Sequence, residues 1–226
     1  MTSHVPAVSQ ALARHRLIAV IRAASAEQAV ASARAVAAGG VPILELTFTI
    51  PDVTRAIREL ARDLELVVGA GTVLAPEQAH AALDAGARFI VAPNANPAVA
   101  EVALARGAFY CPGAYTPSEI IAARAAGAHL VKVHPVGVAG GPAYIRVVRD
   151  PLPDIPMLAA GGTTLDNVPG FLDAGCVACG MGPALADPAL AAAGRFAEIE
   201  QRARAFVRLI AEWSQRSGHA GAAVSA

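Results

Sequence analysis

Residues 85–133 read AGARFIVAPNANPAVAEVALARGAFYCPGAYTPSEIIAARAAGAHLVKV, and one unit runs through them nearly three times. Each copy starts on a glycine turn: Ala85-Gly86-Ala87, Arg106-Gly107-Ala108 and Ala126-Gly127-Ala128. A short apolar run follows, at 88–92, 108–111 and 130–133. After a loop comes an Ala-rich stretch of helical periodicity opened by proline, at 97–105 and 117–126. Proline suits a first helical position because the N–H it lacks has no intrahelical partner there. Glycine ends helices because it enters the left-handed region without strain. Strand, loop, helix, glycine turn, strand is a βα unit.

The unit continues in both directions. Further apolar runs lie at 17–21, 42–48, 64–68, 155–159 and 176–181, and further helical stretches at 26–38, 52–60, 76–85, 142–148 and 165–174. The runs are apolar throughout rather than alternating, as parallel strands covered on both faces are. A doubly wound open sheet is the rival, but eight regular copies in 226 residues favour closure into an α/β (β/α)8 (TIM) barrel. The reading is one domain over 1–226, with a core at about 10–214. An extra N-terminal helix before Leu17 covers the barrel bottom, 191–214 is the last helix, and 218–226 frays.

Composition excludes several function classes. Eighteen basic residues balance eighteen acidic ones and no basic tract occurs, so no nucleic-acid partner is expected. The N-terminus lacks the apolar stretch of a signal peptide and nothing offers 18 uninterrupted apolar residues, so a soluble, cytoplasmic protein without a membrane partner is expected. Cys176-Val-Ala-Cys179 has redox or zinc spacing. It lies inside an apolar run, where residues three apart in a strand face opposite sides, and no second ligand pair exists. With Cys111, these read as buried structural thiols, and no metal or cofactor is expected.

In a barrel, chemistry sits at the C-terminal ends of the strands. Two charges there interrupt apolar strands: Glu45 within Ile43-Leu44-Glu45-Leu46, and Lys132 within Leu130-Val131-Lys132-Val133. Burying an unpaired charge costs several kcal/mol, so each needs a partner. Of the 18 basic residues, 17 are arginine and Lys132 is the one lysine. A guanidinium cannot act as an amine nucleophile, whereas a deprotonated lysine condenses with a carbonyl. Glu45 then fits as the proton shuttle. A purely structural Lys132–Glu45 ion pair is the alternative.

At these residues the sequence resembles the 2-keto-3-deoxy-6-phosphogluconate (KDPG) / 4-hydroxy-2-oxoglutarate (KHG) aldolases. The resemblance is carried by Ala19-Val-Ile-Arg22, Gly39-Gly-Val-Pro-Ile-Leu-Glu-Leu-Thr-Phe-Thr49, Gly69-Ala-Gly-Thr-Val73, Ala92-Pro-Asn94, Cys111-Pro-Gly113, Val131-Lys132 with Pro135, Ala160-Gly-Gly162 and Leu165-Asp-Asn167. It implies a class I aldolase that cleaves a 2-keto-4-hydroxy acid to pyruvate and an aldehyde, with no cofactor and as a homotrimer. Lys132 would form the Schiff base and Glu45 would be general acid and base. Arg22 and Thr72 would hold the pyruvyl carboxylate or line its pocket, and Pro93 would pack on the pyruvyl group. Thr49 stands where many relatives carry a carboxylate-binding arginine.

Two departures bear on substrate. The usual phenylalanine two residues after the lysine is His134, followed by a longer loop; it either faces the mouth or is a loop histidine without a chemical role. A Gly-x-Gly-Ser after the eighth strand reads Gly180-Met-Gly182-Pro183. In relatives with phosphorylated substrates that serine donates to the phosphate beside a preceding Gly-Gly, here Gly161 and Gly162. Proline has neither hydroxyl nor N–H, which leaves Gly161, Gly162, Gly182 and the start of the following helix.

Competing readings are weaker. A sugar-phosphate isomerase or decarboxylase on a similar barrel would not need a buried lysine and would want a better phosphate cradle. A metal-dependent aldolase needs clustered carboxylates, and Glu45 stands alone among the strand ends. A non-catalytic binding barrel would have no use for two charges at apolar strand ends.

Overall fold

The structure, a computed structural model, describes residues 3–218. After α1 (Val5–His15) the chain alternates: β1 (Leu17–Ile21), α2 (Ala26–Ala38), β2 (Ile43–Thr47), α3 (Val53–Leu60), β3 (Val67–Gly71), α4 (Pro76–Asp84), β4 (Phe89–Val91) and α5 (Pro97–Ala105). It continues with β5 (Phe109–Cys111), β6 (Gly113–Ala114), α6 (Pro117–Ala125), β7 (Val131–Val133), α7 (Val136–Ala139), α8 (Pro142–Arg149) and β8 (Met157–Ala160). The last elements are α9 (Val168–Asp173), β9 (Ala178–Met181), α10 (Pro188–Ala192) and α11 (Phe196–Ser217).

The nine strands pair in parallel in the order β5-β4-β3-β2-β1-β9-β8-β7-β6. The two ends of that order are halves of one strand, interrupted at Pro112, which has no N–H to give a ladder. Its carbonyl still accepts from Lys132 N at 2.8 Å. The sheet therefore returns on itself as a nearly closed eight-rung (β/α)8 barrel, as the repeat predicts.

Strand parity divides the core in two. Ile18, Ile43, Val67, Phe89, Phe109, Leu130, Leu158 and Ala178 point inward and pack with Val8 and Leu12 of α1. The extra helix thus plugs the bottom, and each large apolar side chain it buries contributes roughly 1.5–3 kcal/mol. The alternate residues pack outward against the Ala-rich faces of the helices, such as Ala29, Ala33 and Val36 of α2. Ser25 caps α2, Asn96 caps α5, and Thr116 with Glu119 forms a capping box on α6.

Several boundaries differ from the sequence reading. The run at 64–68 becomes β3 at Val67–Gly71: Leu64 is 81% exposed and Asp63 accepts from Glu65 N in a turn, while Gly69-Ala-Gly71 carries the strand despite its low strand propensity. The last helix is two, α10 and α11, split where Gly194 takes φ +69. The loop after Lys132 holds the single turn α7. Cys176 precedes β9 rather than lying within it, so it does not oppose Cys179; both pack in the helix–sheet layer. All three cysteines are buried free thiols, and burial pushes Cys176 up to about 12 and Cys179 well above its usual range. The expected fraying beyond Gly218 lies outside the described residues.

Candidate active site

Two rungs carry the buried charges. Glu45 on β2 pairs in register with Val20 and Gly69, and Lys132 on β7 with Gly113 and Leu158. Glu45 is 1% exposed and Lys132 8%. Lys132 Nζ lies 3.9 Å from Glu45 Oε1, beyond hydrogen-bond reach, and both Glu45 carboxylate oxygens are buried without a hydrogen-bond partner. A pair kept only for stability would close to about 2.8 Å and satisfy those oxygens. Instead the carboxylate faces the amine across a gap. Gly71 makes the arrangement possible: a Cβ there would sit 2.0 Å from Glu45 Oε1.

Cys111 lies among the inward residues near both charges. Burial pushes its thiol up to about 12, with Lys132 opposing and Glu45 adding to the shift, so it stays protonated and is no nucleophile at neutral pH.

Lys132 opens on a cavity of about 130 Å³ that it shares with Arg22, His134, Gly161, Gly162, Gly182 and Pro183. A second cavity of about 320 Å³ is lined by Pro93, Asn94, Gly113, Tyr115, Glu119 and again His134. The His134 ring therefore walls both, which favours the mouth-facing reading over a loop histidine. The backbone N–H of His134 donates to Ala114 O at 3.0 Å. Burial lowers its pKa first, the Lys132 charge second and Arg22 last, against a smaller opposing effect of the Ala160 carbonyl; the ring is neutral at pH 7. Its Nδ1 is buried, and no neighbour, Ala160 included, meets hydrogen-bond geometry with it.

Thr49 touches Arg22, whose Nη1 donates to its hydroxyl at 3.4 Å. Thr72 lines neither cavity; it follows β3 with φ +57, a left-handed conformation rare for a β-branched residue and more often kept at functional sites than elsewhere. Sequence reasoning gave Thr47 no role. It is fully buried and hydrogen-bonded to Thr49, and its parity with Glu45 was the available signal. Asn94 and Tyr115, on the second cavity, were likewise given no role.

At the distal end Gly161 and Gly162 take φ +78 and +96, turning their backbone toward the cavity. Thr163 spends its hydroxyl on Gly180 O at 2.7 Å, and the Pro183 carbonyl accepts from Arg202 Nη1 at 3.0 Å. The helix that follows is shorter than the sequence reading has it. The helix after Gly162 starts only at Val168 and has six residues, because Asn167 folds back to bond Thr164 N and Gly162 O. Its N-cap residue, Asn167, stays tied to Gly162, but a helix of six residues adds little dipole to what the glycine amides could offer an anion. Among the described residues, no three His, Cys, Asp or Glu side chains gather as metal ligands would, and no helix is long and apolar enough to cross a membrane.

The family model described as KDPG and KHG aldolase matches residues 8–202. The 2-dehydro-3-deoxy-6-phosphogalactonate aldolase of Escherichia coli (strain K12) is 36% identical over 200 residues, covering 87% of this chain and 95% of that protein. Among solved structures, a cube-shaped, porous protein cage designed by fusing symmetric oligomeric domains is 33% identical with a TM-score of 0.82, over 90% of this chain and 74% of that one. A KDPG aldolase from Legionella pneumophila, with pyruvate captured at low pH as a covalent carbinolamine, is 25% identical with a TM-score of 0.81, over 88% of this chain and 97% of that one.

Proposed function

The chain belongs to the KDPG and KHG aldolase family, and from that premise we propose that Lys132 is its Schiff-base amine and Glu45 its proton shuttle. The activity is that of a class I pyruvate aldolase, a carbon–carbon lyase acting on small molecules. The observation that carries the residue assignment is the buried amine 3.9 Å from a carboxylate whose oxygens have no partner, opening on a cavity with an arginine at its rim.

Lys132 Nζ, as the free amine, adds to C2 of a 2-keto-4-hydroxy acid, and the carbonyl oxygen takes a proton to give the carbinolamine. Glu45 delivers the proton with which that hydroxyl leaves as water, forming the iminium. A carboxylate then removes the C4 hydroxyl proton, the C3–C4 bond breaks, and the aldehyde departs while the electron pair enters the iminium as an enamine. Protonation at C3 and hydrolysis release pyruvate and restore the amine. Arg22 receives the C1 carboxylate, Thr49 supports Arg22, and likeness to the family extends the carboxylate role to Thr72, held just after β3 in a left-handed conformation. Pro93 and His134 bound the chain, and the amides of Gly161, Gly162 and Gly182 meet its distal end. Assembly as a homotrimer is supported by the likeness to domains used for their symmetric oligomers, and a cytoplasmic location by three unpaired cysteines.

Borohydride added with pyruvate tests the assignment. A three-carbon adduct is expected at Lys132 alone, and Lys132→Arg is expected to fold, form none and lose cleavage almost completely. An adduct at another residue, or an active Lys132→Arg, overturns it.

A further inference from the structure

β2 carries two inward groups two residues apart, and Thr47 follows Glu45 on the same face. The Thr47 hydroxyl is 0% exposed and lies 3.2 Å from the Ile21 carbonyl oxygen and 2.7 Å from the Thr49 hydroxyl. The Thr49 hydroxyl in turn lies 3.4 Å from Arg22 Nη1. The directions of these bonds are forced. A guanidinium only donates, so Thr49 Oγ1 accepts from Arg22. A carbonyl only accepts, so Thr47 gives its single proton to Ile21. The proton between the two hydroxyls must then be that of Thr49, donated to Thr47 Oγ1. The chain runs from the guanidinium of Arg22 through both threonines to the peptide carbonyl just before Arg22.

We propose that Thr47 and Thr49 are positioning residues that hold the Arg22 guanidinium at the rim of the Lys132 cavity, so that it meets the carboxylate of the 2-keto acid in one orientation. The inference rests on the reading of that cavity as the 2-keto acid site. Arg22 itself is exposed, and a free arginine side chain carries rotamer entropy that ligand binding would have to remove. A chain anchored through the buried Thr47 hydroxyl on the Ile21 carbonyl restricts that freedom beforehand. Stapling β1 to β2 is not its purpose, because the ladder through Ala19–Leu44, Val20–Glu45 and Ile21–Leu46 already joins them. The threonines thus act through Arg22, not on the substrate.

The test titrates pyruvate by borohydride trapping at Lys132 and measures KM and kcat for cleavage of 4-hydroxy-2-oxoglutarate. Thr47→Val and Thr49→Val should each raise the half-saturating pyruvate concentration and KM about fivefold, the worth of one hydrogen bond, with kcat lowered less than KM is raised. Serine at either position should restore the wild-type values, since the hydroxyl is all the chain uses. The double valine variant should be no worse than the worse single one, and in an Arg22→Met background the valines should add nothing. Should Thr47→Val misfold, Thr49→Val at its exposed position carries the same prediction. Half-saturation in Thr49→Val equal to wild type, or a valine effect that persists without Arg22, overturns the relay alone. A wild-type protein that traps no pyruvate at Lys132 overturns the reading of the site, and the relay with it.

Discussion

Glu45 is held where a carboxylate has most to gain from a ligand: fully buried, unsatisfied at both oxygens, and separated from Lys132 Nζ by 3.9 Å. Replacing it with glutamine keeps its size and removes its capacity to carry a proton. Glu45→Gln should still trap pyruvate, slowly, and lose on the order of 10²–10⁴-fold in turnover, the usual range for general acid–base catalysis. Full steady-state turnover in that variant would remove Glu45 from the mechanism. At this scale the sequence was most informative where a residue type broke a habit. One lysine among seventeen arginines, and one glutamate in an apolar strand, stand out without a structure. Thr47 does not, because a threonine at a strand end is ordinary and only hydrogen-bond directions give it a task.

Elements were legible as types and less so as boundaries, and the misses have local causes. Helix α2 (Ala26–Ala38) follows its alanine periodicity to the residue, whereas β3 was read three residues early because glycines form its C-terminal half. The shortening of α9 mattered most for function. A helix over 165–174 would have lent a fuller dipole to an anion at Gly162, but the Asn167 turn delays its start to Val168 and leaves six residues. With Pro183 presenting no N–H, the proposed distal cradle rests mainly on Gly161, Gly162 and Gly182, which line the cavity. A missing donor to a charged group is worth roughly 1.5–3 kcal/mol, about tenfold to a hundredfold in binding. Discrimination favouring a 6-phosphorylated acid should accordingly be modest. Pro183→Ser should raise the ratio of kcat/KM for KDPG to that for KHG by about tenfold or more. A wild-type ratio already in the many thousands, or no gain in the serine variant, would show that the amides suffice.

Barrel closure was legible from the count of repeats, and the plug at its base from the segment left over ahead of the first strand. What no pattern revealed is that this lower end is also where histidines gather. His4 precedes α1, His15 ends it, and His129 leads into β7. Burial is the first cause lowering each pKa from 6.5, helped by Arg88, Arg14 and Arg124 respectively. A histidine held neutral in the fold binds its proton more readily once unfolded. Its contribution is therefore complete above the unfolded pKa of 6.5 and is lost as pH falls below it. The shifted carboxylates act elsewhere: Glu27, pushed down to about 2 by Arg55, and Glu119, lowered by the α6 cap, give up stability only as pH falls below their ordinary 4.5. The two windows separate, so melting temperature should fall between about pH 7.5 and 5.5, before Glu27 and Glu119 give up their share. His129 makes that fall traceable. Its Nδ1 accepts from Tyr110 N at 3.0 Å while its ring stacks on Phe109 at 5.1 Å, so protonating that nitrogen strands a backbone N–H beside the barrel core. Asparagine offers an acceptor in nearly the same place and does not titrate. His129→Asn should melt somewhat lower at pH 7.5, for want of the stacked ring, yet lose less on going to about pH 5.5. A wild-type melting temperature flat across that interval, or an undiminished slope in His129→Asn, would mean that these histidines do not link proton binding to the stability of the barrel.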